Sequence, residues 1–179
     1  MGKIVDNVKL DAIGAFVDGA AADPSKLRKT QVIEGEWLVE EGPAQFQSTV
    51  KFEGGEATFQ AANPTFMGGS GQLPGPMHYC FFGLAACYTG VFATTCAAMG
   101  IELKKLTVRV EADINFTQAL GLANAPIMEE VRVKLHIVTD APEEKVAEAE
   151  AQAQERCPVV YTMRHPVPLV TSFDIERAP

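Results

Sequence analysis

Cysteine is the residue type of this chain with the widest range of possible chemistry, and two of its four cysteines stand in distinctive contexts. Cys87 lies in the uncharged run GLAACYTGVFATTC, and Cys157 lies much later, in ERCPVVYT. Thiols can act as nucleophiles or metal ligands, or pair in redox chemistry. They are also commonly small buried hydrophobic groups. The spacing of Cys87 and Cys157 leaves both interpretations open.

The helical phase relative to Cys87 predicts where the other two cysteines, Cys80 and Cys96, point. On a helix with about 100° per residue, Cys80 and Cys87 share a face, whereas Cys96 points about 180° away from Cys87. We therefore expect Cys96 to be inert core and Cys80 to be a small packing residue. No two cysteines have the close spacing of a zinc knuckle. We predict no metal site and no cofactor.

The three histidines are the candidates for a base beside a nucleophilic thiol. His78 falls on the side of its helix opposite Cys87, and His136 falls on the polar side of a strand. His165 follows Cys157 closely enough in sequence to approach it, although a loop histidine is usually solvated. No Cys-His nucleophile pair can be identified from the sequence.

Length, charge and the N-terminal segment limit the setting in which these thiols act. The 179 residues fit one domain with a real core, and the net charge of −8 argues against a nucleic-acid partner. Charged residues interrupt the first segment, MGKIVDNVKL, so it does not match a secretory signal. We expect a cytoplasmic protein whose cysteines are free or catalytic.

The run from Met77 to Met99 contains no Asp, Glu, Lys or Arg and is long enough to span a membrane. Its His and Thr residues and three cysteines favour a buried helix instead, and we predict no membrane insertion. A helix that is apolar all round must be covered all round, and one sheet covers only one side. Gly83, Ala86, Cys87 and Gly90 would permit close approach of a neighbour. A homodimer is the simplest source of that cover.

The remaining elements are predicted from periodicity and turn residues, and they give an α+β domain. Helices are expected from residue 4 to just before Asp23, from Pro76 to Gly100, and over residues 142–156. Strands are expected at 31–40, 44–52, 56–62, 107–115, 131–138 and 167–175. The first three strands form an antiparallel meander.

Three motifs together resemble the OsmC/Ohr family over Gln31 to Ile175: FFGLAACYTGVF, GIELKKLTVRVEAD and DAPEEKV…ERCPVVYT. Each motif is weak alone, and the combination carries the resemblance. It implies an OsmC-like fold, in which an antiparallel-rich sheet wraps around long central helices in an intertwined homodimer. Residues 1–28 would then form an N-terminal helical arm and residues 29–179 the OsmC-like domain.

The resemblance also implies an activity, the reduction of organic hydroperoxides. Cys87 would be the attacking thiol, Cys157 the resolving thiol, and an external dithiol the reductant. The family arrangement puts the CPV turn against the central helix, so the two thiols should come within bonding distance. The expected apolar pocket is formed or flanked by Phe81, Phe82, Leu84, Tyr88 and Phe92, with Arg164 as a further pocket residue. The alternative is a non-catalytic dimer that binds an apolar ligand in a stress response.

The chain departs from the family pattern at two positions. Peroxide-reducing members carry an arginine in the early hairpin and a glutamate in a Pro-Glu pair ahead of the first cysteine. Here the hairpin GEWLVEEGPAQFQ contains no arginine or lysine, and the matching pair is Pro76-Met77. Arg28, Arg156 and Arg164 are the candidates to supply the missing cation.

Overall fold

The computed structural model describes residues 4–177, so residues 1–3 of the predicted arm and residues 178–179 lie outside the described residues. The helices are α1 (Leu10–Ala22), α2 (Pro76–Ala98), α3 (Glu143–Arg156) and α4 (Pro158–Arg164). The strands are β1 (Ile4–Val5), β2 (Val8–Lys9), β3 (Glu36–Trp37), β4 (Phe46–Phe52), β5 (Gly55–Ala61), β6 (Lys105–Glu111) and β7 (Arg132–Val138). The predicted α+β class is confirmed.

The strands form three small antiparallel sheets, β1-β2, β3-β4-β5 and β6-β7. The predicted meander is confirmed, although β3 is only two residues long because Glu36 and Trp37 are the residues that pair with β4. A turn at Glu53-Gly54 joins β4 to β5, and Gly55, the first residue of β5, adopts a φ of 148° that favours glycine. In β6-β7, alternating valine and leucine side chains lie on the less exposed face, which packs toward α2.

Helix α2 organises the core, because it packs against α3, α4 and β6. Small residues at Ala149 and Ala153 of α3 are fully buried and allow this close packing. The core cluster comprises Tyr88, Phe92, Cys96, Ile101, Ala149, Ala153 and Cys157. Cys157 therefore belongs to the core cluster, and Cys87 packs against it.

The ends of α2 follow the predicted signals. Pro76 occupies the first turn, and His78 Nδ1 accepts a hydrogen bond of 3.1 Å from the Gly75 N–H. Gly100 ends the helix at a φ of 70°, and the Ile101 N–H donates to the Cys96 carbonyl. By length and composition α2 could cross a membrane, a test that core helices of soluble proteins also pass. Its predicted exclusion from membranes stays a prediction.

Three elements differ from the predictions. The N-terminal helix starts only at Leu10, because Asp6 and Asn7 adopt positive φ and turn residues 4–9 into a hairpin. Residues 158–164, for which no helix or strand was predicted, form the short helix α4, for which Pro158 supplies the first turn. The predicted strand at 167–175 is absent, because no strand of the described chain pairs with it.

Candidate functional site

The two thiols singled out by the resemblance lie in contact. Cys157 Sγ is 3.3 Å from Cys87 Sγ, and both residues are free cysteines. Cys157 is fully buried, whereas Cys87 is partly buried in the middle of α2. The predicted proximity of Cys87 and Cys157 is confirmed.

Cys157 is held at the junction of two helices. Its N–H donates to the Ala153 carbonyl at the end of α3, and its own carbonyl accepts from the Tyr161 N–H in α4. Pro158 cannot continue α3 but is suited to the first position of α4, where no N–H is needed. The chain therefore changes direction at Cys157, and its side chain packs against α2.

The environment of Cys87 has opposing effects on its acidity. Burial raises the pKa of the Cys87 thiol above the ordinary cysteine value, and the neighbouring Cys157 thiol raises this pKa further. A hydrogen bond from the backbone N–H of Val159 lowers it, but the net direction is upward. Val159 lies in the first turn of α4, where N–H groups have no acceptor within the helix. This donor was not predicted, because α4 itself was not predicted.

The remaining cysteines have different surroundings. Cys96 is fully buried, so its predicted place in the core is confirmed. Burial, with a smaller contribution from the charge of Asp6, raises the pKa of Cys96 to about 11. Cys80 is exposed in the described chain, so its predicted role as a buried packing residue is wrong there. It lies where α2 borders a cavity.

An open cavity of about 560 Å³ lies beside the thiol pair. Of the six residues predicted to form or flank the substrate pocket, four border it: Phe81, Leu84, Tyr88 and Arg164. The other lining residues are Met77, Cys80, Met128, Glu129, Glu130, Val131, Val133, Glu150, Gln154, Val160 and Met163. Phe82 and Phe92 do not line it, because Phe92 is 0% exposed in the core and Phe82 is 69% exposed on the opposite face of α2.

Cys87 lies next to the cavity rather than on its lining. Leu84 and Tyr88, on either side of Cys87 in α2, both belong to the cavity wall. Val160, another wall residue, directly follows the Val159 N–H that contacts the thiol. Cys87 is therefore next to wall residues from both α2 and α4.

A chain of hydrogen bonds crosses the cavity wall. Tyr88 Oη donates to Glu150 Oε1 at 2.5 Å, and Gln154 Nε2 donates to the same oxygen at 2.6 Å. Arg164 Nη1 in turn donates to Gln154 Oε1 at 3.2 Å. Burial and the Glu150 carboxylate raise the pKa of Tyr88, which keeps the phenol a proton donor. Neither Glu150 nor Gln154 was singled out from the sequence; their positions beside the buried Ala149 and Ala153 are the signal that could have identified them.

The candidate cations and bases are distributed unevenly. Of the three arginines considered, Arg164 lines the cavity, whereas Arg28 and Arg156 are exposed and do not line it. His165 stacks on Tyr161 with ring centroids 4.2 Å apart. Within the described residues, no histidine hydrogen-bonds to either thiol and no cluster of acidic, Cys or His residues is arranged to hold a metal ion. The predicted lack of a metal or cofactor stays a prediction.

Comparison with known proteins is based on the sequence and on the fold. The OsmC family profile, described as OsmC-like protein, matches residues 69–172, which is more than half of the chain. The matched segment contains α2, both thiols and the cavity. No curated protein matches the sequence significantly.

Solved structures share the fold at low sequence identity. An OsmC-like protein from Mycoplasma pneumoniae is 19% identical with a TM-score of 0.58, covering 77% of this chain and 89% of that chain. An organic hydroperoxide resistance protein OsmC from Legionella pneumophila is 20% identical with a TM-score of 0.51, covering 76% and 92%. A putative organic hydroperoxide resistance protein from Vibrio cholerae, solved with captopril bound, is 17% identical with a TM-score of 0.54, covering 78% and 89%. The fold and the profile match agree with the motifs around Cys87 and Cys157, and the chain belongs to the OsmC-like protein family.

Proposed function

We propose that this protein reduces organic hydroperoxides, with Cys87 as the attacking thiol and Cys157 as the resolving thiol. The observation that carries the proposal is the 3.3 Å separation of the two sulfur atoms. At this distance a small movement brings the sulfur atoms to the length of a disulfide bond, about 2.05 Å.

The cycle uses both thiols in turn. The Cys87 thiolate attacks the O–O bond of the hydroperoxide and becomes a sulfenic acid, while the alkoxide leaves and takes up a proton to give the alcohol. Cys157, as a thiolate, then attacks the Cys87 sulfur; hydroxide leaves and, with the proton from Cys157, becomes water. An external dithiol reduces the Cys87–Cys157 disulfide and is itself oxidised to a disulfide.

Family membership and the cavity support this assignment. The proteins from Legionella and Vibrio that share the fold carry names that refer to organic hydroperoxide resistance, which supports a peroxide-related or stress-related role. The cavity beside the thiols has walls that are mostly apolar, suited to an organic substrate rather than to hydrogen peroxide. We place the cycle in a reducing cytoplasm, and we expect no nucleic-acid or membrane partner for a chain of net charge −8.

Two features of the site predict a slow first step. Met77 lies at the cavity where the family glutamate would be, and the raised pKa of Cys87 leaves little thiolate at neutral pH. The Val159 N–H partly offsets this effect by stabilising negative charge on the Cys87 sulfur. We therefore expect oxidation of Cys87 to be slower than in family members that retain the arginine and glutamate.

The same observations favour one alternative function, the binding of an apolar ligand without turnover. Cys87 is not on the cavity lining, so a ligand can occupy the cavity without touching the thiol. In this case the two cysteines would serve as packing residues of the core.

We further propose that the active species is a homodimer. The residues Phe82, Ala86 and Gly90 form a line along α2 and are exposed in the described chain, although the helix has no charged side chain to offer water. Exposed apolar residues also occur along β4-β5 and in the segment after α4: Phe46, Phe52, Phe59, Val167, Leu169, Val170, Phe173 and Ile175. A second copy of the chain would cover these surfaces, and the segment at 167–175 would gain a pairing strand.

Counting thiols tests the proposed reaction. Reduced protein is incubated with one equivalent of cumene hydroperoxide, and free thiols are titrated before and after. We expect the loss of two thiols in the native protein and in the control Cys96→Ser, and retention of a Cys87 sulfenic acid in Cys157→Ser. An unchanged thiol count in the native protein would contradict the reductase and support the ligand-binding alternative.

A further inference from the structure

We propose that the cavity binds an uncharged apolar molecule that carries a hydroxyl or hydroperoxyl group, and that Glu150 accepts the hydrogen bond from this group. The inference deepens the proposed function, on which it rests for the identity of the substrate as a hydroperoxide. Glu150 is distinct from the Pro-Glu position of the family, which is Met77 here.

The carboxylate of Glu150 is held with one oxygen available. Its Oε1 accepts from both Tyr88 and Gln154, which fixes the orientation of the side chain on α3. Its Oε2 has no hydrogen-bond partner among the described residues, and Glu150 belongs to the cavity lining. A carboxylate oxygen can only accept hydrogen bonds, so the matching ligand group is an O–H donor.

Much of the cavity wall is apolar and adaptable. The apolar lining residues include Phe81 and Leu84 of α2 and Val160 and Met163 of α4, and Met77 lines the cavity from the first turn of α2. Methionine side chains adjust to ligands of irregular shape because they are unbranched and polarizable. These walls favour a compact hydrocarbon frame behind the O–H group.

The charges at the cavity disfavour an anionic ligand. The carboxylates of Glu129, Glu130 and Glu150 line it, against the guanidinium of Arg164. Arg132 pairs with Glu130 but also with Glu111 and Asp113, so it offsets the Glu130 charge only in part, and the lining carboxylates outnumber the one lining cation. Glu150 is also less exposed than Arg164, so its charge is screened less by solvent. Fatty-acid carboxylates should therefore bind more weakly than neutral molecules of similar shape.

Three ligands with one hydrocarbon frame test this inference on the full, reduced protein. Cumyl alcohol has the O–H donor, cumyl methyl ether lacks it, and dimethylphenylacetate replaces it with a negative charge. Affinities are measured by titration with NMR detection of the cavity residues. We expect the alcohol to bind about tenfold more tightly than either other ligand, as for a hydrogen bond to a charged group. Equal binding of alcohol and ether, or tightest binding of the carboxylate, would overturn the inference.

A charge-neutral variant sharpens the test. Glu150→Gln keeps an oxygen that can accept from Tyr88 and Gln154 but removes the negative charge and the free carboxylate oxygen. We expect the preference for alcohol over carboxylate to fall about fivefold or more, since the charged acceptor and its repulsion are both lost. Glu144→Gln, an exposed change on the same helix outside the cavity lining, should retain the native preference.

The outcome separates this inference from the proposed function. Binding is measured without turnover, so loss of two thiols with hydroperoxide would sustain the reductase even if alcohol and ether bound equally. An unchanged thiol count together with the expected ligand preference would leave the cavity assignment standing and remove the reductase. An unchanged preference in Glu150→Gln would overturn the role of Glu150.

Discussion

The two faces of α2 have similar composition but different surroundings. One face, with Leu84, Tyr88 and Phe92, is buried against α3, β6 and α4 and carries the thiol contact. The opposite face, with Phe82 and Ala86, is exposed in the described chain. A helix that is apolar on every side must be covered on every side. Within the part of one chain that the structure describes, only the inner face of α2 is covered, by α3, β6 and α4.

A charged residue on the outer face of α2 should have the largest effect, the loss of the proposed dimer. If a second copy covers Phe82, then Phe82→Glu buries an unpaired carboxylate and should leave only monomer at micromolar concentration, measured by sedimentation. The control Leu122→Glu makes the same change at an exposed loop residue and should leave the dimer intact. A native protein that sediments as a monomer of 19.2 kDa would contradict the proposed interface.

Truncation on the inner face should reduce stability rather than change assembly alone. Phe92 is fully buried, so Phe92→Ala should lower the free energy of unfolding by about 3–5 kcal/mol through lost contacts and a cavity. Urea unfolding at constant protein concentration measures this change. Leu122→Ala, on an exposed loop, should change stability by less than about 0.5 kcal/mol. A similarly small change for Phe92→Ala would show that the inner face is not the core.

Two cysteines of α2, Cys87 beside Cys157 and the fully buried Cys96, sharpen the comparison. Cys96→Ser places a hydroxyl in the core and should cost about 1–3 kcal/mol of stability. Consumption of cumene hydroperoxide should be unchanged in this variant and abolished in Cys87→Ser. Loss of consumption in Cys96→Ser with its retention in Cys87→Ser would show that the wrong thiol has been assigned.

The smallest expected effect concerns the acidity of Cys87 and the rate at which it is alkylated. Because burial raises its pKa, the thiolate fraction at neutral pH is small and should rise about tenfold per pH unit until the pH reaches that raised value. Alkylation of Cys87 by iodoacetamide, followed by mass spectrometry at a series of pH values, measures the rise. A rate that is already constant across neutral pH would mean that the thiol is ionised there.

Much of the fold was predictable because local signals and burial agree. The Pro76 start and Gly100 end of α2 are local features of sequence, and the structure confirms both. The segment at 167–175 has a strand-like pattern, but a strand also requires a neighbour, which the described chain does not provide. The helix α4 was missed because its seven residues are too short for a periodic pattern.

The site was predictable in part for a similar reason. The motifs identified Cys87 and Cys157, and Phe81, Leu84 and Tyr88 follow from their spacing along one helix. Glu150 was not predicted, because its position depends on how α3 packs against Tyr88 and not on its neighbours in sequence. The Val159 N–H was missed for the same physical reason, since its direction depends on the turn between α3 and α4.

The most direct test of the redox pair is peptide mapping of the bond formed after one equivalent of cumene hydroperoxide, with the time course of its formation. The account predicts a bridge between Cys87 and Cys157, formed in step with the appearance of the alcohol. Helix α2 holds Cys80 and Cys87 about 10.5 Å apart along its axis, so these two should not pair. A bridge between Cys80 and Cys87, or alcohol formation without any Cys87–Cys157 bridge, would contradict the two-thiol mechanism.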